Sequence, residues 1–222
     1  MILFRQAAAI AAKDLRIEMR GRYAASTILP FAATLLIAFG LSLGPGRSLL
    51  QRTAPGLLWL AVLFASVLAF RRSYEAEGED GALEGLVLAP VDRAAVFLGK
   101  AAAVIAQLLA LEAAVTVMVA VLFDLSFGRD VATLSAAFVL GTVGLGAVGS
   151  LFGVLTESAR AREAVFPLLV LPLCIPVLVA GVKATQLATQ GNGAGSWLGL
   201  LVAFDLVVLA AGTLVYGHLL ED

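Results

Sequence analysis

Apolar residues in this chain come in long blocks rather than at intervals. Six stretches, 24–43, 55–71, 96–122, 131–155, 164–183 and 196–217, each run for 17 residues or more with very little charge. At about 1.5 Å per residue, such a block crosses roughly 30 Å of hydrocarbon as a helix. None shows the ten-residue polar/apolar alternation of a barrel strand, and only helices and closed barrels satisfy their backbone in lipid. The pattern predicts an all-α integral membrane protein, a bundle of six transmembrane helices making one domain over 1–222. Too little chain lies outside the spans for a soluble catalytic domain.

The segment before the first block reads differently. In MILFRQAAAIAAKDLRIEMRGRY the apolar stretch is broken by Lys13 and Asp14, which excludes a signal peptide. On a helix over 3–20, Phe4, Ala8, Ala11, Leu15 and Met19 fall near one face, with Arg5, Lys13, Arg16 and Arg20 toward others. That predicts an amphipathic helix along the lipid headgroups, with an ordinary charged flank as the alternative.

Composition sharpens the class. The 222 residues are 61% hydrophobic and 14% charged, against about 45–50% and 25% in soluble domains. The net charge of −1 says little, but its distribution sets an orientation. With the N-terminus cytoplasmic, Arg5, Lys13, Arg16, Arg20, Arg22, Arg71, Arg72, Arg93, Lys100, Arg160 and Arg162 fall on the inner side, and only Arg47, Arg52, Arg129 and Lys183 on the outer side. The positive-inside rule then places both termini and the loop 72–95 in the cytoplasm.

That loop carries EAEGEDGALEGLVLAPVDR, residues 75–93. Asp80 is suited to cap a short helix starting near Gly81. Leu83, Leu86 and Val87 then form a narrow apolar stripe, Glu84 is displayed, and Pro90 stops the helix. Two turns of helix are not stable alone in water, so the segment needs a surface. That surface is either its own membrane interface or a groove in a partner protein.

Inside the membrane, Glu112 sits near the middle of the third span and Asp205 near the middle of the last. An intramembrane carboxyl costs at least about 2.5–3.5 kcal/mol on insertion scales, so each should face protein, water or a partner. Either they line a polar path or moving seam, or they are protonated and hydrogen-bonded to neighbouring helices. Gly141, Gly144, Gly146, Gly149 and Gly153 stud the fourth span, and Gly149 with Gly153 makes a G-x-x-x-G close-approach motif, for packing within the chain or between two copies of it. Pro167, Pro172 and Pro176 predict a fifth span kinked or partly broken at the last two. Residues 184–195 read as a flexible outer loop, and Trp59 and Trp197 as interfacial anchors on that side.

Catalytic and ligand-binding chemistry is sparse. Gly99–Lys100 is followed by Ala101, so there is no Walker A phosphate cradle, and any ATP dependence must reside in a partner. The lone histidine, His218, reads as an interfacial side chain rather than a ligand. Cys174 cannot form an intrachain disulfide and reads as a packing residue. There is no metal-ligand cluster, no nucleophile–histidine pairing and no basic aromatic face for nucleic acid.

The pattern formed by Glu75, Gly81, Leu83, Glu84, Leu86 and Pro90 resembles the first cytoplasmic loop of ABC-2-type exporter permeases. Three further stretches narrow the resemblance. GPGRSLLQRTAPGLLWLAVLFASVLAFRR (44–72, with Ala54, Pro55, Gly56 and Trp59), LGTVGLGAVGSLFGVLTESAR (140–160) and VLPLCIPVLVAG (170–181) are similar to the heme exporter protein B family of cytochrome c maturation. The likeness runs in one register over about residues 5–185; the last span matches only in hydrophobic character. The resemblance implies that Glu75, Asp80, Gly81, Leu83, Glu84, Leu86 and Pro90 belong to a coupling helix docking on an ABC ATP-binding subunit. It also implies a second copy of the permease, a heme-handling membrane protein with a small companion, and a periplasmic heme chaperone, in the bacterial inner membrane among its lipids. On that reading ATP is used by the partner, heme is the cargo of the complex, and this chain binds no cofactor and is not itself an enzyme. The alternatives are an ABC-2-type permease for a lipid, polysaccharide or drug, an intramembrane enzyme using Glu112 and Asp205, and a scaffold uncoupled from ATP.

Overall fold

The computed structural model describes the backbone of residues 2–80, 93–127, 130–155 and 162–219, and side chains over 3–70, 94–127, 130–152 and 168–215. Seven helices make up the described chain: α1 (Ile2–Gly21), α2 (Leu29–Leu43), α3 (Arg47–Asp80), α4 (Arg93–Phe123), α5 (Val131–Leu155), α6 (Arg162–Gln190) and α7 (Gly195–Leu219). A π-helical turn, Ala24–Ile28, leads into α2. Among the described residues six helices are long and apolar enough to cross a membrane, which defines a multi-pass helical membrane protein.

The helices overrun the blocks that hydropathy marks. Helix α3 starts at Arg47 rather than at 55, carries Pro55 within it and continues to Asp80. Asp80 is therefore helical and continuous with the second span, instead of the non-helical residue that an N-cap would be. Helix α6 runs unbroken through all three of its prolines to Gln190. Pro172 and Pro176 lie on its exposed side while Cys174, Val177 and Ala180 are buried. Each proline removes one N–H donor, and the rest of the helix ladder survives. The polar segment expected as a loop over 184–195 is helical as far as Gln190, with Ala184, Thr185 and Ala188 buried. The chain reverses only at Gly191, where φ is +77° and the N–H groups of Gly191 and Asn192 bond back to Ala188 and Leu187. Glycine takes that left-handed conformation without the steric cost of a Cβ.

Helix α5 is the hub, packing against α3, α4, α6 and α7. Among the described residues α2 packs mainly against α3 and α4 and leaves Phe31, Ile37, Phe39 and Leu41 exposed. Helix α1 packs along α4. A Cβ on Gly99 would lie 2.7 Å from the Ala7 carbonyl oxygen and 2.8 Å from Ile10 Cβ, so a missing side chain admits the crossing. The packed face of α1 is thus the one bearing Ala7 and Ile10. Of the expected apolar face, Ala11 and Leu15 are half-buried, but Phe4, Ala8 and Met19 are exposed. The choice of face is set by the notch on α4, which periodicity within α1 cannot reveal.

Candidate functional site

The buried polar groups of the bundle gather around α5. Glu112 on α4 is 1% exposed, and the Thr142 hydroxyl donates to its Oε2 at 2.6 Å. Thr142 follows Gly141 in the LGTVGLG run, so one helix turn supplies both a notch and a donor. The other carboxylate oxygen, Oε1, has no hydrogen-bond partner among the described residues, nor do Thr116 Oγ1 and Gln107 Nε2 on the same helix.

Asp205 on α7 is 5% exposed and meets α5 at a different point. A Cβ built on Gly144 would fall 2.8 Å from Asp205 Oδ1 and 3.0 Å from Val177 Cγ2. Any residue larger than glycine would push the carboxyl away. Neither Asp205 oxygen has a hydrogen-bond partner among the described residues. Thr142 and Gly144 are two residues apart, about 200° around the helix, so the two carboxyls approach α5 from opposite sides. The structure does not bring Glu112 and Asp205 together as a catalytic pair.

A third buried polar contact was not expected. Trp59 is fully buried, and its indole N–H donates to Thr185 Oγ1 at 2.9 Å. Cβ atoms on Gly141 and Gly181 would sit 2.1 Å and 2.6 Å from its ring, and Phe138 meets it edge-on with centroids 6.2 Å apart. Trp59 is thus a core residue joining α3 to α5 and α6, not an interfacial anchor. With α3 beginning at Arg47 rather than at 55, Trp59 lies three turns inside the helix and not near its end. Trp197 is half-buried against the same core.

Of the other glycines, Gly149 faces Phe70 of α3, so its notch is filled from within the chain. Gly153 lies on α5, but its surroundings are outside the described residues. The same holds for the side chains of Glu75 and Asp80 at the end of α3 and of His218 on α7. Gly81, Leu83, Glu84, Leu86 and Pro90 lie outside the described residues altogether. Cys174 is buried and unbridged. Among the described residues no three His, Cys, Asp or Glu side chains come together as a metal site would require.

Six helices long and apolar enough to cross a membrane, one of them the glycine-notched hub α5, define the class as a multi-pass helical membrane protein. The family profile described as CcmB protein matches residues 5–221. The chain belongs to the CcmB protein family. The match takes in the last span, beyond the resemblance over about residues 5–185. The chain is 34% identical over 211 residues to the heme exporter protein B of Pseudomonas aeruginosa, covering 90% of this chain and 93% of that protein. It is 34% identical over 207 residues to that of Bradyrhizobium diazoefficiens, covering 92% of each. It is 32% identical over 207 residues to that of Paracoccus denitrificans, covering 91% and 92%.

Proposed function

We propose that this chain is the permease subunit of an ABC transporter complex in cytochrome c biogenesis, with heme as the cargo of the complex. The observation that carries the reading is end-to-end similarity to proteins named heme exporter protein B, over nine-tenths of this chain. ATP is hydrolysed by a separate subunit, because the phosphate-binding loop that the chemistry needs is missing from this sequence. The docking segment is 75–90, reached by the cytoplasmic end of α3, with Leu83 and Leu86 as apolar anchors and Glu84 as a polar latch. The single helix Arg47–Asp80 supports that role, since it gives the docking segment a continuous lever into the bundle. Both termini face the cytoplasm, in keeping with the bias of basic residues, and the complex sits in the bacterial inner membrane. Two permeases, two ATPases, the heme-handling membrane protein with its small companion, and the periplasmic chaperone complete it. Its cycle either exports heme or releases the heme-loaded chaperone.

Two experiments test this. Deleting the gene abolishes heme-stained periplasmic c-type cytochromes, and a rescuing copy restores them; unchanged staining overturns the pathway. Leu83→Asp or Glu84→Lys abolishes co-purification of the ATPase while the permease elutes normally. Retained association in these variants removes the docking role.

A further inference from the structure

Where α2 ends and α3 begins, the bundle holds a cavity of about 330 Å³. Its walls are apolar, formed by Leu36, Ile37 and Leu41 of α2, Leu50 of α3 and Phe123 of α4, with Pro45 at the turn. Ile37 and Leu41 are themselves exposed, so the cavity opens on the lipid-facing surface of the bundle. From Leu36 to the Gly44 turn is about 12 Å along the helix axis, at about 1.5 Å per residue. The cavity is therefore a slot reaching from the membrane surface into hydrocarbon depth.

An ion pair stands at its rim. Arg47, two residues past Pro45, places Nη2 3.2 Å from Oδ2 of Asp124, the residue after Phe123. Both side chains are mostly exposed, at 82% and 64%. The Gln51 amide donates to the Asp124 carbonyl at 2.7 Å, and Asp124 takes a left-handed φ of +52°. These features end α4 at the slot and tie it to α3, holding a cation and an anion side by side where lipid headgroups lie.

The geometry points to a binding site for one phosphatidylethanolamine molecule, with an acyl chain in the slot, the phosphate on Arg47 and the primary ammonium on Asp124. Each charge of the headgroup meets its opposite, and the ammonium N–H groups supply donors that a carboxylate accepts. A choline headgroup has no N–H to donate. An anionic glycerol headgroup offers no cation to Asp124. The competing occupant is a second copy of the chain laid over the slot.

The test uses the full chain in mild detergent with an equal mixture of phosphatidylethanolamine, phosphatidylcholine and phosphatidylglycerol of matched acyl chains, read by native mass spectrometry. One phosphatidylethanolamine is retained up to about fivefold over the other two, the range for exposed charge pairs. Asp124→Asn brings its retention down to that of phosphatidylcholine, and Ile37→Trp, which fills the slot, removes bound lipid of every kind. Equal retention of the three lipids by the unaltered chain overturns the site, as does undiminished phosphatidylethanolamine on Asp124→Asn. Should Ile37→Trp fail to fold, the exposed Asp124→Asn substitution carries the test by itself. Leu41→Cys settles the competing occupant: efficient disulfide cross-linking of two chains in the membrane overturns the lipid site, and its absence supports it.

Discussion

On the side of α5 that meets α3 and α4, Thr142 donates to Glu112 and glycine notches receive Trp59 and Phe70. On the side that meets α6 and α7, Gly144 lets Asp205 close on the helix with neither carboxyl oxygen hydrogen-bonded among the described residues. The first side shows how a membrane bundle holds together. Lipid tails are as apolar as leucine, so there is no hydrophobic gain in bringing helices together, and close packing with hydrogen bonds must do it. The second side keeps a polar group buried without that compensation. Retaining such a group costs stability, and buried ionisable residues in membranes mark function more often than structure.

Four changes break or sharpen this contrast. Trp59→Ala has the largest effect, because it empties two glycine notches and leaves Thr185 without its donor. A loss of about 3–5 kcal/mol is expected from the cavity, read as a lowered unfolding midpoint in detergent. Asp205→Leu works in the opposite direction: replacing an uncompensated buried carboxyl by an apolar group of similar size stabilises the fold by about 1–3 kcal/mol. A lowered midpoint for Asp205→Leu would mean that the carboxyl has a stabilising partner and that the two sides of α5 do not differ. Thr142→Val removes the donor to Glu112 and costs about 0.6–2 kcal/mol, the span measured for hydrogen bonds between membrane helices. Glu112→Gln keeps an acceptor for Thr142 and changes the midpoint less than Thr142→Val does.

The smallest effect lies outside the bundle. Asp130 precedes α5 and accepts the Thr133 backbone N–H at 3.0 Å, an N-cap contact. Hydrogen bonds from the Thr133 hydroxyl and then from its backbone N–H hold this carboxyl below the usual carboxylate range. The folded value is depressed, so the contribution is present above the unfolded value near pH 4 and is lost as pH falls through the folded value. Hydrogen exchange at the start of α5 should quicken slightly below that pH, and Asp130→Ala should abolish the pH dependence.

Much of the architecture could be read from residue order alone. Whether a segment enters a membrane depends on its own length and apolar content, properties that need no neighbours, and six spans emerge from both sequence and structure. Helix ends were less legible. Segments 47–54 and 184–190 carry polar residues that end a hydropathy block, yet a helix ladder continues through them. Trp59 and Thr185, partners in the core, therefore lie near or beyond the ends of the hydropathy blocks. The face of α1 that packs was likewise chosen by Gly99 on another helix.

What only tertiary structure decided is the character of the two carboxyls. In the sequence Glu112 and Asp205 are equivalent, each a single acidic residue midway along an apolar block. Folding gives one a hydroxyl donor and the other a glycine backbone with apolar neighbours, because Thr142 and Gly144 point to opposite sides of the same helix. Burial in lipid is a sum over a segment's own residues, so the sequence determined it. Hydrogen bonding is a pairwise relation between atoms far apart in the chain, and the packing of α4, α5 and α7 was needed to set it.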